Sequence, residues 1–140
     1  MTELLELRGV VEAPPDAVAD VLLDVRPGGR SPLVTNGTVE SQDGDEFVVT
    51  QGGSRMTVTV DRAARSVAVQ GEWWYRGVTT VEPDPRGAQV IHRIFNVAEG
   101  NRWAVRFVSR GAVNAAPAAF LAHIDQLGLA LNCAAWVIDG

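Results

Sequence analysis

The chain has 140 residues, of which 46% are apolar and 21% are charged, and its formal net charge is −5 at pH 7. These totals predict one globular domain over residues 1–140, and they exclude a disordered chain. The negative charge, with arginines scattered along the sequence, disfavours nucleic acid and anionic membranes as partners.

The sequence also bears on the compartment. The single cysteine, Cys133, excludes an internal disulfide. The first residues contain no basic segment leading into an apolar run, and no apolar stretch reaches the ~20 residues of a membrane helix. We therefore expect a cytoplasmic protein without a signal peptide or a membrane span.

A strand and a short helix are predicted first. Apolar and charged residues alternate over Glu3–Glu12, which indicates a strand that buries one face. A helix is predicted over Pro15–Val25, because proline is tolerated in the first turn and Asp16 suits the positive end of the helix dipole. Prolines and glycines in Arg26–Pro32 end this helix.

Six further strands follow, separated by short turns. Asp43-Gly44-Asp45 is typical of a hairpin, and the glycines at positions 52 and 53 mark the next turn. With the first strand they make seven, which favours an antiparallel meander. The six strands are predicted at Thr38–Gln42, Glu46–Gln51, Met56–Val60, Val67–Gln70, Trp73–Glu82 and Gln89–Val97.

The last part of the chain is predicted to be helical. Arg102–Arg110 fits a short helix or a strand, and we favour the helix, with Gly111 as its C-cap. A long helix is predicted over Pro117–Ile138, roughly 33 Å at ~1.5 Å per residue. Its apolar stripe has spacings of three and four and consists of Phe120, Ile124, Leu127, Leu131, Ala134, Ala135 and Ile138.

This order of elements resembles the Bet v 1-like, or START-like (SRPBCC), superfamily, in particular bacterial polyketide cyclase/dehydrase-like proteins. The resemblance is carried by Val10–Val18, which reads Val-Val-Glu-Ala-Pro-Pro-Asp-Ala-Val, by Leu22-Leu23-Asp24 and by the amphipathic C-terminal stretch. It implies an α+β helix-grip fold, in which a curved seven-stranded antiparallel sheet wraps around the long C-terminal helix and encloses an apolar cavity.

The resemblance also implies a function. Members of this superfamily bind lipids, hormones, polyketides and other hydrophobic small molecules, and a minority catalyse cyclisation or dehydration. Many relatives carry two short helices and a tryptophan between the first helix and the second strand. Here Arg26–Gly37 is short, rich in proline and glycine, and without tryptophan, so we expect a smaller or more open pocket.

No motif for catalysis, a metal or a cofactor is present, since the sequence contains no glycine-rich phosphate loop, CxxC, HExxH or GxSxG. We therefore predict no cofactor and no metal. The candidates are isolated side chains that could face the cavity. Nine of them are candidate ligand-binding residues: Trp73, Tyr75, His92, Arg93, Phe95, Phe120, His123, Ile124 and Leu127.

The orientation of these side chains stays open at the level of sequence. His92 and Arg93 are adjacent on a strand and face opposite sides, but the apolar content of the two sides does not decide between them. A histidine in the pocket could orient a ligand or transfer a proton, whereas a buried structural histidine is the alternative for both His92 and His123. Trp73 and Tyr75 share one side of their predicted strand, where they would line either the core or the cavity.

Two apolar residues lie outside the core stripe of the long helix. Leu129 and Trp136 fall on the opposite side, near Cys133, which we interpret as a small hydrophobic residue rather than a nucleophile. This side would be covered either by Arg102–Arg110 or by a second subunit in a homodimer.

Three functions follow from these observations. The first is binding of a hydrophobic small molecule in a cavity between the sheet and the C-terminal helix. The second is a polyketide cyclase/dehydrase-type enzyme, which requires polar groups such as His92 or Arg93 to converge with Tyr75 in the cavity. The third is a non-catalytic protein that dimerises through Leu129 and Trp136. We favour the first.

Overall fold

The computed structural model describes residues 2–26, 28–34, 38–51 and 53–138. These residues form two helices, α1 (Pro15–Leu22) and α2 (Arg102–Leu131). They also form eight strands: β1 (Thr2–Val11), β2 (Thr38–Asp43), β3 (Glu46–Gln51), β4 (Ser54–Asp61), β5 (Ser66–Gln70), β6 (Tyr75–Asp84), β7 (Gly87–Asn96) and β8 (Ala135–Ile138).

All eight strands belong to one antiparallel sheet in the order β2-β3-β4-β5-β6-β7-β1-β8. Strands β2 to β7 form the predicted meander, and β1, the first strand of the chain, pairs with β7. The long helix packs against the concave face of this sheet, so the α+β helix-grip fold is confirmed. The described residues contain eight strands rather than seven, because β8 adds an edge beyond β1.

The predicted start of the long helix at Pro117 is wrong. Helix α2 begins at Arg102 and runs for 30 residues, so the short helix predicted over Arg102–Arg110 is its first part and Gly111 is no C-cap. Pro117 lies inside the helix and is exposed. A proline there removes one backbone hydrogen bond, but the alanines on both sides of it are the best helix formers, so the helix continues.

The predicted end of the helix at Ile138 is also wrong. The helix ends at Leu131 because Asn132 adopts the left-handed conformation, with φ of 52°. The Cys133 amide then donates to the Gly128 carbonyl oxygen at 3.0 Å. The next residues form β8, in which Trp136 pairs with Val10 of β1. Tryptophan and β-branched residues favour strands, although so short an apolar run is compatible with the period of a helix as well as that of a strand.

This end point changes the interpretation of the outer side of the helix. Of the predicted stripe, Ala134, Ala135 and Ile138 lie beyond the helix. Leu129 lies on α2 and is 82% exposed, whereas Trp136 is half-buried on β8. The two residues therefore share no helix face, and the reasoning that predicted a homodimer through them does not hold.

Several other boundaries differ by a few residues. Helix α1 ends three residues before the predicted Val25, and β6 begins at Tyr75, so Trp73 precedes the strand. The hairpin at Gly44 has the expected positive φ of 59°. Of the second predicted turn, Gly52 lies outside the described residues. Within the predicted loop 26–37, Pro27 and residues 35–37 also lie outside them, and residues 28–34 form no helix.

The core fills the space between α1, the sheet and the second half of α2. Gly9 of β1 permits a close approach, because a Cβ atom there would lie 2.7 Å from Cδ1 of Ile124. Neither helix of the described residues combines the length and the apolar character needed to cross a bilayer. The fully buried side chains of this core include Val11, Val18, Leu22, Val58, Val67, Ile124 and Leu127.

Candidate functional site: a cavity between the sheet and the long helix

A half-open cavity of about 260 Å³ lies between the middle of α2 and strands β4 to β7. This volume is near the lower end of the about 300–1,000 Å³ that ligand pockets occupy. The small size agrees with the expectation drawn from the short loop before β2. Fourteen described residues line it: Leu33, Met56, Val69, Tyr75, Gly77, Thr79, His92, Ile94, Ala112, Ala115, Ala116, Ala119, Phe120 and His123.

The cavity exists because one stretch of α2 carries small side chains. Ala112, Ala115, Ala116 and Ala119 recur at helical spacing and line the cavity on its helix side, opposite β6 and β7. A methyl group does not reach the opposite strands. After these alanines the helix carries Phe120 and then core residues that are larger than alanine, so the cavity ends toward the C-terminal end of α2.

A hydrogen-bonded pair forms the polar part of the sheet wall. Thr79 of β6 and His92 of β7 are register partners, and both side chains face the helix. The Thr79 Oγ1 and His92 Nδ1 atoms lie 2.8 Å apart, and Thr79 is buried. The imidazole also stacks on the Phe120 ring, with centroids 6.1 Å apart and an interplanar angle of 19°. Two contacts therefore fix the orientation of the His92 ring.

Both histidines of the cavity are neutral at pH 7. Burial, followed by the proximity of His123, lowers the pKa of His92 to about 4. Burial also lowers the pKa of His123. A neutral imidazole has one N–H donor and one nitrogen acceptor. Among the described residues, neither Nε2 of His92 nor the His123 ring has a hydrogen-bond partner.

Tyr75 lies at the rim of the cavity, and its ring folds back over Gly77. A Cβ atom on Gly77 would lie 2.6 Å from the Tyr75 hydroxyl oxygen, so the absence of a side chain there makes room for the phenol. Burial raises the pKa of Tyr75, which keeps the hydroxyl protonated. Tyr75 and Met56 also line an open groove of about 530 Å³ on their other side, together with Trp73 and Trp74.

The structure brings four of the nine predicted residues together and separates the others. Tyr75, His92, Phe120 and His123 line the cavity. His92 rather than its neighbour faces the helix, which answers the question that the sequence left open. The remaining five are Trp73, Arg93, Phe95, Ile124 and Leu127.

These five were predicted at the site but do not line the cavity. Arg93 and Phe95 lie on the convex face of β7, where the Arg93 Nη2 atom is 2.9 Å from Glu6 Oε1. Trp73 precedes β6 and lines the groove outside, with its indole N–H donating to the Gly100 carbonyl oxygen at 3.1 Å. Ile124 and Leu127 are fully buried in the core.

The sequence reasoning missed several residues of the wall, above all Thr79 and the four alanines. The alanine spacing was a usable signal, since four small residues on one helix face leave space in a core. Thr79 and Gly77 lie two residues apart on β6 and share a face, but that face could be assigned only through their register with His92 and Ile94. In the part of the chain that the structure describes, no three histidine, cysteine or acidic side chains come close enough together to hold a metal ion.

No protein-family model and no curated protein matches the sequence. Similar structures do exist. TTHA0849 from Thermus thermophilus has 17% identity and a TM-score of 0.54, over 91% of this chain and 99% of that one. A Thermobifida fusca protein has 21% identity and a TM-score of 0.54, over 87% and 89% of the two chains. DynU16, from the dynemicin biosynthetic locus, has 14% identity and a TM-score of 0.56, over 91% and 47%.

At these identities the similarity concerns the fold. The similarity agrees with the helix-grip arrangement that the strand order and the enclosed helix define. Within that fold, the sheet and the long helix enclose a small, mostly apolar cavity with a threonine–histidine pair on its wall.

Proposed function

We propose that the protein binds a hydrophobic small molecule in the cavity between the sheet and α2. The observation that carries the proposal is the composition of the cavity wall. Aliphatic and aromatic side chains dominate it, while Nε2 of His92, the ring nitrogens of His123 and the Tyr75 hydroxyl have no hydrogen-bond partner among the described residues. Most buried polar groups in proteins are hydrogen-bonded, and groups left without a protein partner point to a ligand or to water.

The surroundings of the cavity support this interpretation over a packing defect. The core immediately next to it is filled, with Ile124 and Leu127 fully buried. The His92 side chain is held in a fixed orientation, since its ring is both stacked and hydrogen-bonded. DynU16, which shares the fold, comes from a biosynthetic locus, and a small-molecule ligand would suit that setting. The proposal keeps the cytoplasmic location predicted from the sequence.

Dye binding tests the proposal with two matched variants. The neutral dye N-phenyl-1-naphthylamine should gain fluorescence with the native protein and saturate at one molecule per chain. Ala116→Leu fills the cavity from the helix side, and we expect it to weaken dye binding by about tenfold or more, which corresponds to about 1.4 kcal/mol. Ala118→Leu adds the same side chain on the exposed side of the same helix and should bind as the native protein does.

Two results would contradict the proposal. One is an absence of saturable dye binding by the native protein. The other is equal binding by Ala116→Leu and Ala118→Leu, because the dye would then occupy a surface other than the cavity.

The second candidate is an enzyme of the cyclase or dehydrase type. The observation in its favour is that His92, Thr79 and Tyr75 converge in one cavity, with a neutral imidazole able to accept a proton from a bound molecule. His92→Gln should then abolish turnover of a polyketide-like substrate while dye binding persists. Turnover that survives this substitution would exclude His92 as the base.

A further inference from the structure

We infer that the ligand is an uncharged molecule whose hydroxyl or carbonyl group is held by the Thr79–His92 pair, and that the cavity rejects carboxylates and other anions. This inference rests on the proposed function, because it concerns the same cavity. It specifies the chemical class of the ligand, which apolar character alone leaves open.

The described wall of the cavity carries no formally charged side chain. None of the fourteen described residues that line the cavity is a lysine, arginine, aspartate or glutamate. An anion that enters such a space loses its hydration, and no opposite charge compensates for the loss. The wall therefore penalises a carboxylate far more than it penalises a hydroxyl of similar size.

The arginines on the strands next to the cavity lie on the other face of the sheet. Strands β6 and β7 carry Arg76 and Arg93, but both side chains lie on the convex face. The Arg76 Nη1 atom donates to Gln70 Oε1 at 2.9 Å, and Arg93 pairs with Glu6. Both guanidinium groups already have partners on the far side of the sheet. The two strands that supply Thr79 and His92 thus supply no cation to the cavity.

The histidines do not replace that missing cation. Both are neutral at pH 7, because burial lowers the pKa of each, and a proton on His92 would lie close to His123. The cavity can thus offer hydrogen bonds from neutral groups, but no fixed positive charge.

The Thr79–His92 pair can hydrogen-bond to a neutral polar group in two ways. If the Thr79 hydroxyl donates to Nδ1 of His92, the imidazole presents an Nε2–H donor to the cavity. If Nδ1–H donates to Thr79, the imidazole presents Nε2 as an acceptor. A carbonyl group matches the first arrangement, and a hydroxyl group matches either. The stacking on Phe120 keeps the ring plane the same in both.

Three probes of nearly equal shape test the inference by displacement of the neutral dye at pH 7. These probes are 2-naphthol, which is neutral, 2-naphthoate, which is anionic, and naphthalene, which has no polar group. We expect 2-naphthol to bind at least about tenfold more tightly than 2-naphthoate. Thr79→Val should reduce the affinity for 2-naphthol about three- to tenfold more than the affinity for naphthalene, because the variant loses the hydrogen bond that orients His92.

A charge-placing variant makes the test independent of the Thr79 substitution. Ala115 is an exposed helix residue that also lines the cavity, so Ala115→Arg adds a cation at the rim with little effect on folding. It should shift the preference toward 2-naphthoate by about tenfold. Ala118→Arg, on the same helix but away from the cavity, should leave the preference unchanged.

The outcomes separate the two levels of the argument. If native protein binds 2-naphthoate as tightly as 2-naphthol, or if Ala115→Arg and Ala118→Arg behave alike, the inference about an uncharged ligand is wrong while the binding function stands. If neither the dye nor any of the three probes binds, the proposed function itself fails.

Discussion

The two halves of the space beneath α2 differ although the same helix and the same sheet enclose them. Toward the C-terminal end of the helix, Ile124 and Leu127 are fully buried in the core. In the middle of the helix, alanines face Thr79, His92 and Tyr75 across a cavity. The difference lies in the size and polarity of the side chains, since the backbone elements continue from one half into the other.

This contrast separates a part of the interior that serves stability from the part for which we propose ligand binding. The filled half follows the rules of core packing, with fully buried aliphatic side chains. The cavity half departs from those rules, with small residues and neutral polar side chains, of which the His123 ring and the Tyr75 hydroxyl have no hydrogen-bond partner among the described residues. Such local departures from good packing are expected at functional sites. Substitutions in the two halves should therefore change different measured quantities.

The largest effect on stability is expected from the filled half. Ile124→Ala removes a fully buried side chain and should lower the free energy of unfolding by about 2–5 kcal/mol. Leu121→Ala, on the exposed side of the same helix, is the control and should cost well under half of that. Urea denaturation measures both. A loss below about 1 kcal/mol for Ile124→Ala would mean that the filled half does not carry the stability.

The next effect concerns pH and the cavity half. The pKa of His92 is about 4 in the folded protein, against the ordinary histidine value of 6.5 in the unfolded chain. The unfolded state therefore binds a proton first, so stability is full above pH 6.5 and falls as the pH drops toward 4. At about 1.4 kcal/mol per pKa unit, the loss is on the order of 3 kcal/mol.

The matched variant for this pH experiment is His92→Gln, which keeps a polar side chain but does not titrate. All other ionisable groups are the same in both proteins, so the difference between their stability profiles isolates His92. Unfolding curves between pH 7 and pH 4 that fall in parallel for the two proteins would show that His92 is not held in its neutral form.

A smaller loss is expected when the hydrogen-bonded pair is broken. Thr79→Val keeps the shape of the side chain but removes the hydroxyl that bonds to His92, which should cost about 1 kcal/mol of folding stability. Thr80→Val, the next residue of β6 on the opposite face, serves as the control and should change stability by less. If the two variants cost the same, the Thr79–His92 bond contributes nothing beyond the general effect of the substitution.

The smallest effect is expected on the convex face. Arg93→Met removes the ion pair with Glu6, which is partly exposed, and should cost less than about 1 kcal/mol. Because Arg93 points away from the cavity, dye binding should be unaffected. A loss of dye binding in Arg93→Met would show that the two faces of β7 are coupled.

The sequence predicted most of the fold, because alternation and turn residues specify strands locally. It failed where local patterns were compatible with two structures. A proline usually begins or breaks a helix, yet Pro117 lies within α2, and the apolar run around Trp136 fits a helix as well as the strand that it forms. Both outcomes depend on contacts with the sheet.

The candidate site was harder to predict for a similar reason. His92 was predicted as a candidate, but the sequence did not decide on which face of β7 its side chain lies. The opposite face carries a fully buried apolar residue as well, namely Ile91. Apolar content therefore does not distinguish the two faces of β7. The cavity itself depends on which helix residues lie opposite which strands, and only the tertiary structure supplies that register.

The contact between Tyr75 and Gly77 has a consequence for how the pocket could be redesigned or could diverge. Tyr75 lines both the cavity and the adjoining tryptophan-lined groove, so a methyl group added at position 77 would displace a phenol that borders both spaces. A single-codon change, Gly77→Ala, would thus reshape the wall between them without altering the scaffold.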